Sequence, residues 1–362
     1  MACKPSICTV SLGRAFAGHS LEHKLDMAHK YGFKGIELFY EDVQHLATVM
    51  PGGCSPSNLL AAARQVRRWC ETRKQEIICL QPFLHFGGLL DRSKAKQDLE
   101  TVAFWTDLAA TLGTDLILLP SSFLPATQLT DNLSVLVHDL QNAAEIGLKK
   151  SPAVRFAFEA LCWGTRVNAW QDSWKMVSAV NRPNFGLCID TFNIAGHIFA
   201  DPAASSGCRP NADLSLKSSM QRLMAQVDVS KVLLVQVADA ERLAKPLDEA
   251  HPFYNAEQPS RMSWSRNCRL FYGEDHLGGH LPVDKILQTV VHGLGYRGWL
   301  SFEVFHQRLA DSDGAVPEHF AARASWSWAR LVRDLSLDSA RPRPDFGQEK
   351  ERVVLKDANT RL

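Results

Sequence analysis

The sequence predicts an α/β fold, specifically a (β/α)8 barrel, and three observations lead to it. Eight short apolar runs of strand composition alternate with longer amphipathic stretches along the chain. Alternating strands and helices imply parallel strands with right-handed crossovers, and eight rounds close more naturally into a barrel than into an open sheet. No glycine-rich GxGxxG turn follows the first run, as an open dinucleotide-binding sheet would require.

Eight ranges of the chain have the composition of strands. They are 6–11, 34–39, 76–81, 115–120, 154–159, 185–190, 231–237 and 298–304. Between them, stretches such as 20–32 and 98–113 repeat apolar residues every three or four positions and are predicted as helices. Ser20 suits an N-cap, and Gly32 and Gly113 suit C-caps. The open doubly wound sheet is the alternative.

A single catalytic domain is predicted over residues 1–335, since barrels of this type often run beyond about 250 residues. Two long connections, 191–210 and 239–282, are predicted as loops that cover or bind a ligand. Residues 336–362 are rich in charge and contain two prolines, which predicts a C-terminal tail beyond the barrel.

Charge and cysteine content narrow the classes of partner. Forty Lys and Arg against 39 Asp and Glu leave a formal charge of +1, too little to attract nucleic acid or an anionic membrane. No apolar run reaches the roughly 18 residues that a membrane span needs. The nine cysteines form no CxxC pair, so we expect reduced thiols in a cytoplasmic protein. A small-molecule partner is predicted, and a homo-oligomer stays possible.

Four of the strand-like runs end on a residue that offers a metal an oxygen atom. These runs are VRFAFEA, FGLCID, KVLLVQVAD and GWLSFEVF, and the residues are Glu159, Asp190, Gln236 and Glu303. Barrel chemistry lies at the C-terminal ends of the strands, so the four should converge there. Three carboxylates and an amide suit Mg²⁺, Mn²⁺ or Co²⁺, whereas zinc would prefer more His or Cys. For each acid alone, a salt bridge or a helix cap is the alternative.

Further strand-end and loop residues complete the predicted site. Glu37 and Gln81 end two other strands, where they would bind substrate or hold metal ligands in place. Arg266 and Arg269 lie in the second long connection, and a guanidinium can clamp a substrate carboxylate. Arg266 is preferred for that role, although an exposed arginine is more often simply solvated.

Histidine is the natural candidate for proton transfer because it titrates near neutrality. Among the 13 histidines, the candidates are His85, His276, His280 and His306. His85 and His306 rank first, since each follows a strand end. The remaining histidines carry no comparable positional signal.

Several stretches give the chain a family resemblance over about residues 4–335. They are SLGRAFAGHSLEHKLDMAHKYGFKGIELFYEDV, LQPFLHFGGLLDR, FEALCWGTRVN, GLCIDTFNIAGH, LLVQVADA, SWSRNCRLF and YRGWLSFEVF. In these stretches the chain resembles the xylose isomerase-like TIM barrels and, more narrowly, the fungal 3-dehydroshikimate dehydratases of quinate and shikimate catabolism. Together they are far more specific than any single motif.

The resemblance implies a divalent metal held by Glu159, Asp190, Gln236 and Glu303. It also implies an arginine near Arg266 on the substrate carboxylate. Related bacterial enzymes place a histidine three residues beyond the Asp ligand, where this chain has Asn193. The base could then be His85 or His306, or a metal-bound water, with Asn193 in the catalytic position.

The reaction implied by the resemblance is dehydration of 3-dehydroshikimate to protocatechuate through a metal-stabilised enolate. Two other functions remain open. A sugar or polyol isomerase, epimerase or dehydratase of the same superfamily would share the enediolate chemistry. A non-catalytic barrel that binds a metabolite and regulates another protein belongs to a different class.

Overall fold

A closed barrel of eight parallel strands forms the centre of the molecule, as predicted. The computed structural model describes residues 3–337 of the chain. Its strands are β1 (Lys4–Cys8), β2 (Gly35–Phe39), β3 (Glu76–Gln81), β4 (Leu116–Pro120), β5 (Arg155–Glu159), β6 (Phe185–Asp190), β7 (Val232–Val237), β8 (Asp239–Ala240), β9 (Arg269–Leu270) and β10 (Trp299–Phe302). The barrel order is β1-β10-β7-β6-β5-β4-β3-β2, and β8 and β9 form a small antiparallel pair.

Eleven α-helices lie among the described residues, most of them packed around the barrel. They are α1 (Leu21–Lys30), α2 (Tyr40–Thr48), α3 (Pro56–Thr72), α4 (Arg92–Leu112), α5 (Leu133–Leu148), α6 (Trp170–Val180), α7 (Thr191–Ile198), α8 (Ala212–Gln226), α9 (Ser260–Cys268), α10 (Val283–Leu287) and α11 (Val316–Asp334). Ser20 caps α1 by accepting from the backbone N–H of His23 at 3.3 Å. Gly113 ends α4 at φ 84°, a left-handed conformation that favours glycine. Gly32 follows α1 in the same conformation, at φ 88°.

The apolar core has two layers. The larger layer fills the space between strands and helices, and a smaller one lies inside the barrel. The inner layer consists of Ile78, Cys79, Leu116, Leu118, Ala157, Cys188 and Leu234. Parallel strands covered on both faces need such near-continuous apolar sequence. The polar residues at the C-terminal ends therefore mark that end as the functional one.

The first strand differs from its predicted range of 6–11. It ends at Cys8, and residues Thr9–Leu12 form a 3₁₀ turn. The hydroxyl of Ser11 donates to the carbonyl of Phe302 at 3.2 Å and accepts from the N–H of Val304 at 2.7 Å. These bonds hold the chain across the end of β10, so an apolar sequence that could continue as a strand turns instead.

Both long connections contain regular structure, so their prediction as loops was wrong in part. Helix α7 begins directly after Asp190, whose carboxylate accepts from the N–H of Phe192 at 2.7 Å and caps the helix. The second connection contains α9 and the β8–β9 pair. Arg266 is consequently a helical residue, and the geometry of this connection is more fixed than a loop would allow.

The predicted tail, 336–362, lies outside the described residues except for Ser336 and Leu337. The Leu337 side chain is buried against the apolar core. All nine cysteines are unpaired, as expected for reduced thiols. Within residues 3–337, no helix combines the length and apolarity that crossing a bilayer requires.

Candidate active site

Four oxygen-bearing residues meet at the C-terminal end of the barrel. Glu159 and Asp190 end β5 and β6, Gln236 lies near the end of β7, and Glu303 follows β10. Gln236 is in register with Asp190 on one side and with Ser301 on the other. Their relative exposures are 3%, 2%, 0% and 4% in chain order. We call these four residues the oxygen cluster, and its position agrees with the sequence prediction.

Asn193 bridges two members of the oxygen cluster. Its Nδ2 donates to Oε1 of Glu159 at 2.7 Å and to Oδ2 of Asp190 at 2.8 Å. Its Oδ1 accepts from the backbone N–H of Cys162 at 2.9 Å, which fixes the orientation of the amide. Because Asp190 caps α7, the first turn of that helix holds Asn193 against both carboxylates. Asn193 thus supplies hydrogen-bond donors to two members of the cluster, and its catalytic role stays a prediction.

Arg269 bridges the next pair of acids. Its Nη1 donates to Oδ2 of Asp190 at 2.9 Å and to Oε2 of Glu303 at 3.1 Å. The guanidinium is buried and lies 4.2 Å from the ring centre of Phe192, and its Nε donates to Ser265 at 3.1 Å. The structure therefore brings Arg269 into the site as an internal cation. Its contact with a substrate stays a prediction.

Glu37 and Gln81, the other two strand-end residues, also contact the oxygen cluster. Gln81 donates from Nε2 to Oε1 of Glu303 at 2.7 Å and to the sulfur of Cys8 at 3.1 Å. Glu37 accepts at Oε1 from Nε2 of Gln236 at 2.6 Å. These bonds agree with the alternative that both residues hold metal ligands in place, and binding of substrate by them stays a prediction.

Burial and mutual repulsion raise the pKa values of three glutamates at the site. Burial, followed by the charge of Glu303, raises the pKa of Glu37 to about 8. Burial also raises the pKa of Glu303 to about 7, against the opposing effect of Arg269. Burial and the charge of Asp190 raise the pKa of Glu159 well above its usual range. The raised pKa values show that gathered negative charge is costly here, and a bound cation would remove that cost by displacing the protons.

The oxygen cluster fits a divalent cation by its chemistry. Three carboxylates and one amide oxygen are hard donors, which suit hard divalent ions. A buried oxygen without a hydrogen-bond partner, Oε2 of Glu37, lies beside the cluster. Such an unpaired oxygen is costly unless a cation or proton lies nearby. The residues present therefore fit a metal ion.

A second group of possible ligands shares Glu303 with the oxygen cluster. One ligand atom each of Cys8, Glu37 and Glu303 lies within 4.8 Å of the others. Burial and the charges of both glutamates raise the pKa of the Cys8 thiol well above its usual range, so the thiol keeps its proton. Hard divalent ions also prefer oxygen to sulfur. We therefore favour the oxygen cluster as the metal site.

His85 and Arg266 lie near each other at the entrance to the site. Both are in connections that leave the C-terminal ends of barrel strands, after β3 and after β7. The Nδ1 atom of His85 is 3.3 Å from the hydroxyl of Ser122, and its ring packs on Phe123 at 4.3 Å. Burial and the positive charges of Lys94 and Arg266 lower the pKa of His85. The charge of Arg266 therefore acts on the His85 imidazole, and the roles of both residues in catalysis and substrate binding stay predictions.

His306 faces a different part of the protein. Its Nδ1 accepts from the N–H of Arg308 at 3.1 Å, and its ring lies 5.9 Å from that of Phe320 on α11. Burial, together with the positive charge of Arg323, lowers the pKa of His306 to about 4. These contacts cap a 3₁₀ turn and pack an outer helix, and they differ from the contacts of His85 with Ser122 and Phe123.

The sequence profile of the xylose isomerase-like TIM barrels matches residues 25–331. The chain belongs to that family. The family assignment agrees with the closed barrel and with the predicted fold.

Two similar proteins are 3-dehydroshikimate dehydratases. The chain is 51% identical over 343 residues to the 3-dehydroshikimate dehydratase of Neurospora crassa. The aligned region covers 93% of this chain and 96% of that protein. It is 31% identical over 301 residues to the 3-dehydroshikimate dehydratase of Pseudomonas aeruginosa, covering 83% of this chain and 38% of that protein. The fungal likeness therefore extends over nearly the full length of both chains.

Two solved structures share the barrel fold. A xylose isomerase-like TIM barrel/4-hydroxyphenylpyruvate dioxygenase fusion protein superposes with a TM-score of 0.68 at 28% identity, covering 93% of this chain and 44% of that one. The IolI protein, solved with a bound zinc atom, superposes with a TM-score of 0.65 at 16% identity, covering 93% and 100%. At the latter identity, the likeness concerns the fold alone.

Arg14 is a charged residue near Arg266 that the sequence analysis did not single out. It lies on the connection after β1, and its Nε donates to Oε2 of Glu41 at 3.1 Å. Its guanidinium lies 4.8 Å from the ring centre of Phe16, and its charge, after burial, lowers the pKa of Arg266. The available signal was its place in the connection that follows the first strand.

Proposed function

We propose that the chain is a 3-dehydroshikimate dehydratase, a hydro-lyase that converts 3-dehydroshikimate to protocatechuate and water. The observation that carries this proposal is 51% identity to the Neurospora crassa dehydratase over nearly the whole of both chains. The oxygen cluster and the charged entrance are the chemical features that such a reaction needs.

The metal site of the proposed enzyme is the oxygen cluster, with Mg²⁺, Mn²⁺ or Co²⁺ as the ion. Four buried oxygen donors at one end of the barrel support this choice. When bound, a divalent ion supplies Lewis-acid polarisation of the ring ketone. Asn193 and Arg269 would keep the three carboxylates in position around it.

His85 is the proposed proton-transfer residue. The reaction removes a proton from the carbon beside the ketone and expels a hydroxyl group, which leaves as water once it gains a proton. His85 has a lowered pKa, so its imidazole is largely neutral at pH 7 and can accept a proton. Because Nδ1 faces Ser122, Nε2 is the atom available for the substrate.

Arg266 is the proposed clamp for the substrate carboxylate. It is exposed at the entrance, on the rigid frame of α9, and donates to Gln258 at 2.8 Å. Two charge-assisted bonds from one guanidinium would orient the ring with its ketone toward the oxygen cluster. This orientation matters because the proton must leave from one particular carbon.

The net charge and the cysteine content bear on the partners and the location of the proposed enzyme. We infer that the enzyme acts on its small-molecule substrate without nucleic acid or membrane, which the net charge of +1 supports. The nine unpaired cysteines support action in the reducing cytoplasm.

Ultraviolet absorbance tests the proposed reaction. Chelator-treated protein is mixed with 3-dehydroshikimate before and after addition of Mg²⁺, Mn²⁺ or Co²⁺, beside Glu159→Ala and the exposed-surface control Glu71→Ala. We expect a metal-dependent catechol band in the native protein and in Glu71→Ala, and none in Glu159→Ala. The absence of a band with every metal would overturn the dehydratase assignment and direct the assay to keto-sugars and inososes.

A further inference from the structure

Gln236 differs from the other members of the oxygen cluster because its two terminal atoms are chemically different. A carboxylate presents an oxygen whichever way it is rotated. An amide presents either an oxygen, which can bind a cation, or an NH₂ group, which cannot. Gln236 is fully buried, so water cannot compensate for a wrong orientation. A neighbour must therefore select which end of the amide faces the metal.

Glu37 is placed to make that selection. Its Oε1 accepts from Nε2 of Gln236 at 2.6 Å, and both side chains are fully buried. The bond crosses the barrel interior, since β1 and β10 separate β2 from β7 in the strand order. When Glu37 is ionised, as beside a bound cation, reversing the amide would point its oxygen at a carboxylate oxygen in a dry interior, which is strongly unfavourable.

The opposite end of the amide lies next to the proposed metal ligands. The thiol of Cys188 donates to Oε1 of Gln236 at 3.3 Å, and Asp190 is in register with Gln236 on the adjacent strand. A thiol is a weak donor and an easily displaced partner. The oxygen of Gln236 therefore keeps its capacity to bind an ion on the side that Asp190 occupies.

We propose that Glu37 is a positioning residue that orients the Gln236 amide so that its oxygen, and not its nitrogen, faces the metal. This inference rests on the proposed metal site and assigns Glu37 a role that differs from substrate binding. Gln81 makes a similar bond to Glu303, but Glu303 has two equivalent oxygens and needs no such selection. The requirement is thus specific to the pair formed by Glu37 and Gln236.

A double-mutant cycle on Mn²⁺ affinity tests the proposal. The variants are Glu37→Met, Gln236→Glu and the two combined, with Mn²⁺ dissociation constants measured by titration calorimetry. Glu37→Met should weaken Mn²⁺ binding about 10- to 100-fold in protein that retains Gln236, as for other residues that support metal ligands. The same substitution should cost little when combined with Gln236→Glu, because a carboxylate offers oxygen at both ends.

A milder substitution keeps the test useful if Glu37→Met fails to fold. In Glu37→Gln, two amides face each other and either orientation of Gln236 can pair, so about half of the molecules should present oxygen. Mn²⁺ affinity should then fall about twofold, and not at all when Gln236→Glu is also present. Circular dichroism verifies that each variant is folded.

The outcomes separate this proposal from the proposed function. Equal losses of Mn²⁺ affinity with and without the Gln236→Glu substitution would overturn the positioning role, because Glu37 would then act through charge or packing. Native protein that binds no divalent ion would overturn the metal site itself. Loss of affinity confined to protein that retains Gln236 would support the proposal.

Discussion

Asn193 donates a hydrogen bond of 2.8 Å to Asp190, three residues before it and on the same helical turn. The same nitrogen also reaches Glu159, so one uncharged amide links two carboxylates that would otherwise repel each other. An amide does not titrate, and both of its ends are occupied. These contacts favour a positioning role for Asn193 over proton transfer, and they leave His85 as the better candidate for the base.

Asn193→Asp should destabilise chelator-treated protein by about 1–3 kcal/mol, since a donor between two buried acids becomes a third acceptor. Added Mn²⁺ should recover part of that loss by neutralising the acids. Urea unfolding with and without Mn²⁺ measures both effects. Asn184→Asp is the matched control, because Asn184 is buried but donates to backbone carbonyls of Ala144 and Val154. Recovery by Mn²⁺ in the control as well would contradict the interpretation.

His85→Ala should lower kcat by about 10²- to 10⁴-fold, the usual contribution of a general base. His306→Ala should leave kcat within a few-fold, because His306 packs against Phe320 and caps a 3₁₀ turn. Initial rates of protocatechuate formation compare the two variants. The reverse ranking would show that His306 is the base and that the entrance pair has another role.

Arg266→Ala should raise KM for 3-dehydroshikimate more than it lowers kcat, since the guanidinium binds a carboxylate that does not react. Arg266→Lys should recover only part of the loss, because an ammonium cannot make the paired bonds of a guanidinium. Arg308→Ala provides a control with an exposed arginine paired to Asp311. A change confined to kcat would argue against the clamp.

The stability of chelator-treated protein should fall as pH rises. Glu37 and Glu303 have pKa values raised from 4.5 to about 8 and about 7, so the folded state holds more protons than the unfolded state across that interval. Their stabilising protons are fully present below about pH 4.5 and are lost as the pH passes through the folded pKa values. Urea midpoints at several pH values measure the slope, which Mn²⁺ should reduce or reverse by replacing the protons.

The same linkage predicts that Mn²⁺ affinity rises with pH, by up to about tenfold per unit for each proton displaced. Calorimetry in buffers of different ionisation enthalpy counts the protons released. Binding that is independent of pH between about 6 and 8 would show that the ion does not compete with these carboxyl protons.

The positions of the four metal-ligand candidates were predictable from sequence because parallel strands place their C-terminal ends on one face. The bridging role of Asn193 was not predicted, since residues 191–210 were expected to form a loop and the i, i+3 relation to Asp190 exists only in a helix. The direction in which the His306 side chain points could not be predicted from sequence either, because the alternation of side chains along a strand no longer applies beyond the end of β10. Hydrogen bonds that cross the barrel, such as that between Glu37 and Gln236, depend on closure and leave no local signal.

The buried guanidinium of Arg269 bears on how the enzyme would mature. Three carboxylates gathered without a counter-charge would oppose closure of the barrel, but Arg269 supplies positive charge to Asp190 and Glu303 from within the chain. We therefore expect the polypeptide to complete its fold first and to receive its ion afterwards. Metal supply in the cell would then set the active fraction of finished protein and would have little influence on how much protein is made.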